Sequence, residues 1–258
     1  MTTVISGSQS EDLRIRLRNK SFSIQGHRNL VFDNLSLDIS SGDFVCFLGP
    51  SGCGKTTMLR MIAGLDLDFD GEIRIGSKKI TGPGRDRALV FQNATLLPWM
   101  TVSQNIGFAL DSNLPELEKN TMIQCALRLV ELDNVGSLKV SQLSGGMRKR
   151  VALAQAIADP PQTLLLDEPF VALDFYTREM IQENISRIQR CHQLTTLMVT
   201  HDLEEAVYLS DRIIVFSKSP VSIIGDFLVN IKRPRDRTEP TFLRHYTRLR
   251  ALMNAARP

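Results

Sequence analysis

The run Phe44-Val45-Cys46-Phe47-Leu48-Gly49-Pro50-Ser51-Gly52-Cys53-Gly54-Lys55-Thr56-Thr57 decides how this chain is read. Its first five residues are apolar and stand between Gly42 and Gly49. Such a run suits a strand buried on both faces, as in a parallel sheet. Gly49 to Thr56 then fits G-x-x-x-x-G-K-S/T at every fixed position. From Thr57 to Ala63 the apolar spacing is helical, and Gly64 suits the helix end. Strand, glycine loop and helix in that order are the context a phosphate-binding loop requires. Glycines let the backbone close around phosphate, and successive N–H groups and the helix N-terminus point at it. Lys55 offers a cation to the β- and γ-phosphates, and the Thr56 hydroxyl a ligand to Mg²⁺. Cys53 occupies a variable position and has no catalytic role in this reading. Binding of a nucleoside triphosphate follows; the class of enzyme does not.

Outward from this run, strict alternation at 13–18, with Arg14, Arg16 and Arg18 facing solvent, predicts a half-buried strand. Alternation returns at 35–39 and 72–75, and short apolar strands are expected at 88–91, 163–166, 196–200 and 212–216. Helical spacing occupies 122–132, 151–158, 177–189 and 203–209. From about 93 to 158 strand signals vanish, so a helical insert is expected there. Strands alternating with helices predict a parallel α/β sheet.

The composition agrees. The 258 residues are 43% hydrophobic and 23% charged, which excludes wholesale disorder, collagen and coiled-coil arrays and fits one large domain or two small ones. The formal net charge of +3 is too small to imply nucleic-acid binding. No apolar run approaches the roughly 20 residues of a membrane helix, and Met1 to Asp12 has no signal core, so a soluble intracellular protein is expected. Cys46, Cys53, Cys125 and Cys191 show no zinc spacing and are read as reduced, small buried residues. The segment 231–258 is strongly basic, with Lys232, Arg233, Arg235, Arg237, Arg244, Arg248, Arg250 and Arg257 against Asp236 and Glu239. It is read as a solvated helix packed on the domain by Phe242, Leu243, Tyr246, Leu249 and Leu252, with an anionic-lipid or partner contact as the alternative.

Two further motifs narrow the class. The apolar run Thr163–Leu166 ends in Asp167-Glu168, two acids at the carboxyl end of a strand, where α/β sheets bind ligands. Asp167 can hold Mg²⁺, usually through water, and Glu168 can polarise an attacking water. Leu143-Ser144-Gly145-Gly146-Met147 precedes an apolar-periodic helix. Ser144 suits its N-cap, and the two glycines leave N–H groups open to an anion.

With these three motifs the chain resembles the ATP-binding subunit of ABC transporters, from about Arg14 to the C-terminal segment. The resemblance implies a P-loop NTPase of the ABC type: an α/β RecA-like core, an antiparallel β-subdomain and a helical subdomain. It implies an ATP-binding domain over 13–230, with the helical part at about 93–158, followed by the basic segment 231–258. Leu143–Met147 matches the signature motif, whose Ser144, Gly145 and Gly146 would bind the γ-phosphate of ATP held by the other subunit of a head-to-tail dimer. Gln92 matches the glutamine that contacts Mg²⁺ and the attacking water, and Asp174, in Ala172-Leu173-Asp174, the loop that crosses the dimer. His201 matches the switch histidine at the γ-phosphate. Phe22 is similar in place to the aromatic that stacks on adenine, although the interval from Phe22 to Lys55 is a few residues long.

Hydrolysis in such a subunit would use Glu168 as base, with ATP and Mg²⁺ as cofactors. Its implied partners are a second copy or a paralogous ATPase subunit, two integral membrane permease subunits and, indirectly, an extracytoplasmic solute-binding protein. The implied location is peripheral, on the cytoplasmic face of the plasma membrane. Gly82 to Gln92, Leu96 to Val102, Met147 and Arg233 to Arg237 are similar to importers of the nitrate, sulfonate and taurine group. An exporter's cassette, or an importer for another small solute, is the alternative. Trp99 is read either as an anchor to the membrane subunits or as a core residue. Three departures stand out: Val171 where Gly or Ser is usual, awkward if that position needs positive φ, and Lys149 and Gln155 where Gln and Arg are usual.

Overall fold

The structure is a computed structural model that describes residues 11–24, 27–218 and 220–255. The opening residues read as lacking a signal core lie mostly outside that range, as does Arg257 of the basic segment. The chain begins with a long antiparallel hairpin, β1 (Leu13–Ile24) and β2 (His27–Ile39). Leu13, Ile15 and Leu17 are buried and the arginines between them face solvent, as alternation predicts. The hairpin runs well beyond the expected 13–18 and 35–39 and so occupies the long interval after Phe22. A β-bulge bends it: Lys20 pairs with Phe32 but Ser21 pairs with Leu30, which leaves Val31 extra.

β3 (Phe44–Leu48) carries the chain into a second sheet and is followed by α1 (Lys55–Ile62). β4 (Asp70–Ile75) and the two-residue β5 (Lys78–Lys79) return to the hairpin and complete a four-stranded sheet, order β2-β1-β4-β5. β6 (Arg87–Val90) leads to α2 (Val102–Gly107), α3 (Glu116–Leu129) and α4 (Gly145–Ile157). Then come β7 (Thr163–Asp167), α5 (Phe175–His192), β8 (Thr195–Val199), α6 (Leu203–Leu209), β9 (Arg212–Phe216), β10 (Ile223–Leu228) and α7 (Pro240–Ala255).

The second sheet has the order β10-β9-β3-β8-β7-β6. β9, β3, β8, β7 and β6 are parallel, and β10 is an antiparallel edge on β9. Its two faces are both covered, which explains the uniformly apolar β3. Phe44, Cys46 and Leu48 join the core under the helices, while Val45 and Phe47 join the core between this sheet, α1 and the hairpin sheet. Among the described residues, no helix is long and apolar enough to cross a membrane.

Four expectations need correction. Cys46 and Cys53 are buried, but Cys125 and Cys191 lie on solvent-facing positions of α3 and α5 and are exposed. Trp99 is 70% exposed, so it is not a core residue. In the C-terminal segment Phe242 and Leu249 are buried, whereas Leu243 is exposed. Three of its arginines turn toward the domain rather than form a solvated face, Arg235 buried and Arg233 and Arg237 half-buried. Arg235 is 5% exposed and donates to the carbonyls of Val207, Tyr208, Ser210, Val229 and Ile231. Arg233 pairs with Asp211, and Arg237 with Glu204 and Gln182, its guanidinium 3.8 Å from the Tyr208 ring centroid. Arg233, on Leu209 O, and Arg235, on Val207 O and Tyr208 O, satisfy carbonyls orphaned at the C-terminus of α6, while Arg237 meets side-chain acceptors.

Candidate functional site

The loop between β3 and α1 fits its place only as glycine at Gly54, where φ is 106° and a Cβ would stand 2.6 Å from Val31 Cγ1. The bulge in β2 brings Val31 there. Lys55 is 6% exposed, and its Nζ donates to the carbonyls of Gly49 (2.8 Å) and Pro50 (2.9 Å). Ser51, Gly52, Gly54, Lys55, Thr56 and Thr57 line an open cleft of ≈ 400 Å³. Its other walls are Phe22, Asn29 and Val31 of the hairpin and Gln92, Glu168 and Val199 at the carboxyl edge of the sheet. Cys53 is buried beside the lysine, its Sγ 3.9 Å from Lys55 Nζ, and burial pushes its thiol up.

Thr56 Oγ1 donates to Asp167 Oδ1 at 3.1 Å. Burial pushes the Asp167 carboxyl above its usual range, against the pull of that hydrogen bond. Glu168 takes a left-handed backbone (φ 47°), and its N–H extends the ladder to Val199 O at 2.9 Å. Gln92 Nε2 donates to Glu168 Oε2 (3.1 Å), and His201 Nδ1 lies 3.3 Å from Oε1. Each carboxylate oxygen therefore has one neighbour, Gln92 from the loop after β6 and His201 from the turn after β8. Beneath His201, Thr200 Oγ1 donates to Glu205 Oε2 at 2.6 Å. Burial, helped by the charge of Asp202, pushes the Glu205 carboxyl up to about 7.

The signature residues are not among those that line this cleft. Ser144 caps α4, its Oγ accepting from Met147 N–H at 3.2 Å. A Cβ on Gly146 would stand 3.2 Å from Ala172 O, so the start of α4 abuts the loop before α5. Asp174 caps α5 by accepting from Thr177 N–H (3.0 Å), which holds its carboxyl below the usual range. Ser144, Gly145, Gly146 and Asp174 do not line the cleft that holds Lys55. The positive φ in this loop falls on Ala172 (67°), so the β-branched Val171 escapes the strain expected of it. Lys149, one turn along α4, has its ammonium lowered by burial, opposed by the charges of Glu168 and Asp167. Gln155 donates to the carbonyl of Asn105 at 2.9 Å, a link inside the helical region.

Residues 32–171 match the family model described as ABC transporter. The chain belongs to the ABC transporter family, as one of its ATP-binding cassettes. It is 41% identical over 234 residues to an uncharacterized ABC transporter ATP-binding protein of Methanocaldococcus jannaschii, across 90% of this chain and 88% of that one. It is 44% identical over 237 residues to a bicarbonate transport ATP-binding protein of Synechococcus elongatus, covering 90% of this chain but 36% of that longer protein. An aliphatic sulfonates import ATP-binding protein of Bacillus subtilis is 40% identical over 88% of this chain and 89% of its own. Among solved structures, a dimeric ATP-binding cassette in a post-hydrolysis state with ADP and Pi superposes with a TM-score of 0.78 at 29% identity, over 85% of this chain and all of that one. The cassette is thus an ATP-binding, ATP-hydrolysing subunit with the P-loop α/β fold.

Sequence reading missed Asn29, Val31 and Val199 as cleft walls and Glu205 as a buried acid. Val31 reaches the cleft only through the bulge, which leaves no mark in apolar spacing. Glu205 follows another glutamate in a helical pattern and reads as solvated.

Proposed function

We propose that this cassette couples ATP hydrolysis to the import of a small anionic solute. The observation that carries the catalytic half is Glu168, held over the phosphate-loop cleft between Gln92 and His201. In this reading the backbone from Gly49 to Thr57 and the Lys55 ammonium hold the phosphates, and Phe22 stacks on adenine. Lys55 is already desolvated by two loop carbonyls, so exchanging them for phosphate oxygens replaces weak acceptors by charged ones. Glu168 accepts the proton of the attacking water while Gln92 and His201 keep its two oxygens in place. The barrier falls mainly through positioning and electrostatics.

Mg²⁺ fits the residues present. Thr56 Oγ1 and Asp167 Oδ1 are hard oxygen donors that meet at 3.1 Å, with the Gln92 amide across the cleft. Among the described residues no group of three His, Cys, Asp or Glu could cage a metal alone, which suits an ion shared with substrate phosphates. Bound there, the ion would neutralise charge on the β- and γ-phosphates.

Ser144, Gly145, Gly146 and Asp174 act, in this proposal, on ATP held by a second copy or a paralogous subunit in a head-to-tail dimer. What supports that assignment is that Ser144 and Asp174 are turned to capping α4 and α5 and none of the four hydrogen-bonds a group of the Lys55 cleft. Two permease subunits at the cytoplasmic face of the plasma membrane, docked near Gln92–Met100 with exposed Trp99 as anchor, would turn dimer closure into transport, and a solute-binding protein would deliver the solute. The division into an ATP-binding domain over 13–230, its helical part at about 93–158 and a C-terminal segment from 231 is kept, since α2, α3 and α4 all fall between β6 and β7.

Relatives for bicarbonate and for aliphatic sulfonates both handle small anions, which supports the same class here and extends the nitrate, sulfonate and taurine group. The test is reconstitution of the cassette with its permease in vesicles, with ATP and candidate anions. Solute-stimulated ATPase and ATP-dependent uptake are expected. Efflux, or stimulation by cations alone, overturns the proposal.

A further inference from the structure

Lys20 lies on β1 two residues before Phe22, and the role inferred for it rests on the reading that Phe22 stacks on adenine. Its side chain is 1% exposed. A buried ammonium requires compensating partners, and Lys20 has them on two sides. Nζ donates to Asp66 Oδ1 (2.8 Å) and to the Asp68 carbonyl (2.6 Å), with Asp68 Oδ2 at 3.6 Å. It also lies 4.5 Å from the centroid of the Phe22 ring. Phe22 is itself 39% exposed and lines the cleft, whereas Lys20 does not. The cation therefore sits behind the ring, and the ring's open side faces the cleft.

The other end of the contact is fixed to the phosphate helix. Asp66 follows α1, and its N–H donates to Arg60 O at 3.3 Å. A single buried cation thus ties the aromatic platform to the helix that starts at Lys55. We propose that Lys20 is a positioning residue for the nucleotide base. It holds the Phe22 ring at a set distance from the phosphate loop. It also draws π-density away from the cleft face, which strengthens stacking with an electron-rich purine.

The test compares binding of ATP with binding of inorganic tripolyphosphate, which shares the phosphates and lacks the base, both with Mg²⁺ and the full chain. The ratio of the two dissociation constants reads the adenosine contribution, base and ribose together, and its change on substitution at Lys20 or Phe22, which lie at the ring, reads the base. Lys20→Met should cut the preference for ATP about fivefold and leave tripolyphosphate affinity unchanged. Lys20→Arg should keep most of the preference. A lysine that only stabilises the fold would weaken both ligands together and leave the ratio at its native value, and that result overturns the proposal. Phe22→Leu separates the two ideas. If it lowers the ratio while Lys20→Met does not, Lys20 alone is misassigned; if Phe22→Leu leaves the ratio intact, the stacking reading falls and this proposal with it. Lys20→Met strands the Asp66 charge, so the double variant Lys20→Met, Asp66→Asn repeats the test without it. Should both fail to fold, Asp66→Asn decides: the tether is loosened while the cation stays, and an unchanged ratio overturns the proposal.

Discussion

The cleft at Lys55 and the patch at Ser144 are built from the same ingredients, glycines at a helix N-terminus, yet they are finished differently. In the cleft every charged group proposed for chemistry already has an internal neighbour: Lys55 on two carbonyls, Asp167 on Thr56, Glu168 between Gln92 and His201. In the patch the polar side chains are spent on capping, Ser144 for α4 and Asp174 for α5, and a Cβ on Gly145 would meet nothing within 4 Å. In the proposed function the cleft would hold the base (Glu168), the cation (Lys55) and the oxygens (Thr56, Asp167) that ligate the metal. The patch offers backbone donors and, among the described residues, no group proposed as catalytic, which is why it is proposed as half of a site.

The sharpest way to break that contrast is at Glu168. Glu168→Gln keeps the shape and one acceptor oxygen but cannot take a proton. Turnover should fall roughly 10²–10⁴-fold, while nucleotide affinity stays near native because Lys55 and the loop are untouched. Steady-state ATPase and equilibrium ATP binding on the same preparation check both halves. Near-native turnover would place the base elsewhere and remove the chemical distinction of the cleft.

The second test asks whether the patch is incomplete by itself. Ser144→Arg puts a bulky cation where a partner's γ-phosphate is proposed to dock, so the isolated chain should bind ATP normally and hydrolyse almost none. Lys55→Ala should instead lose roughly 10²-fold in nucleotide affinity through the missing charge-assisted contacts. Mixed, the two variants form some dimers in which one composite site carries both lesions and the other neither. With statistical pairing of a two-fold dimer, roughly a quarter of native activity should return, provided one intact site turns over. No recovery, or loss of ATP binding in Ser144→Arg alone, would mean that the patch serves its own chain.

Much of this contrast is legible in sequence because both halves rest on local rules. Glycine, lysine and threonine at fixed spacing after an apolar run give the loop, and Ser144 announces a helix start. Features that depend on distant partners stay hidden. β10 alternates only weakly and carries Gly225 and Asp226, so it reads as loop until β9 supplies its ladder. Arg233, Arg235 and Arg237 read as solvent charges because most of the acceptors they meet are some 20 to 60 residues earlier. Lys20 looks like one more outward basic residue on β1, yet a register shift against β4 between Leu17 and Asn19 precedes it, and Asp66 meets it inside.

The mildest test concerns the support beneath His201. Glu205 is buried against Thr200, and its carboxyl is raised from the ordinary 4.5 to about 7 by burial and then by the charge of Asp202. A raised acid favours the folded state fully below its unfolded value and loses that contribution as pH rises through the folded one. Native stability should therefore decline between pH 4.5 and 7 by on the order of 1–3 kcal/mol from this group. Glu205→Gln retains an oxygen for the Thr200 hydroxyl and cannot ionise. Relative to the native chain it should gain thermal stability as the pH is raised from 5 to 8, and His201 should keep its place beside Glu168. Parallel melting curves for the two proteins across that window would show instead that Glu205 titrates as an ordinary solvated acid. The turn bearing His201 would then rest on the hydrogen bond alone, whichever charge Glu205 carries.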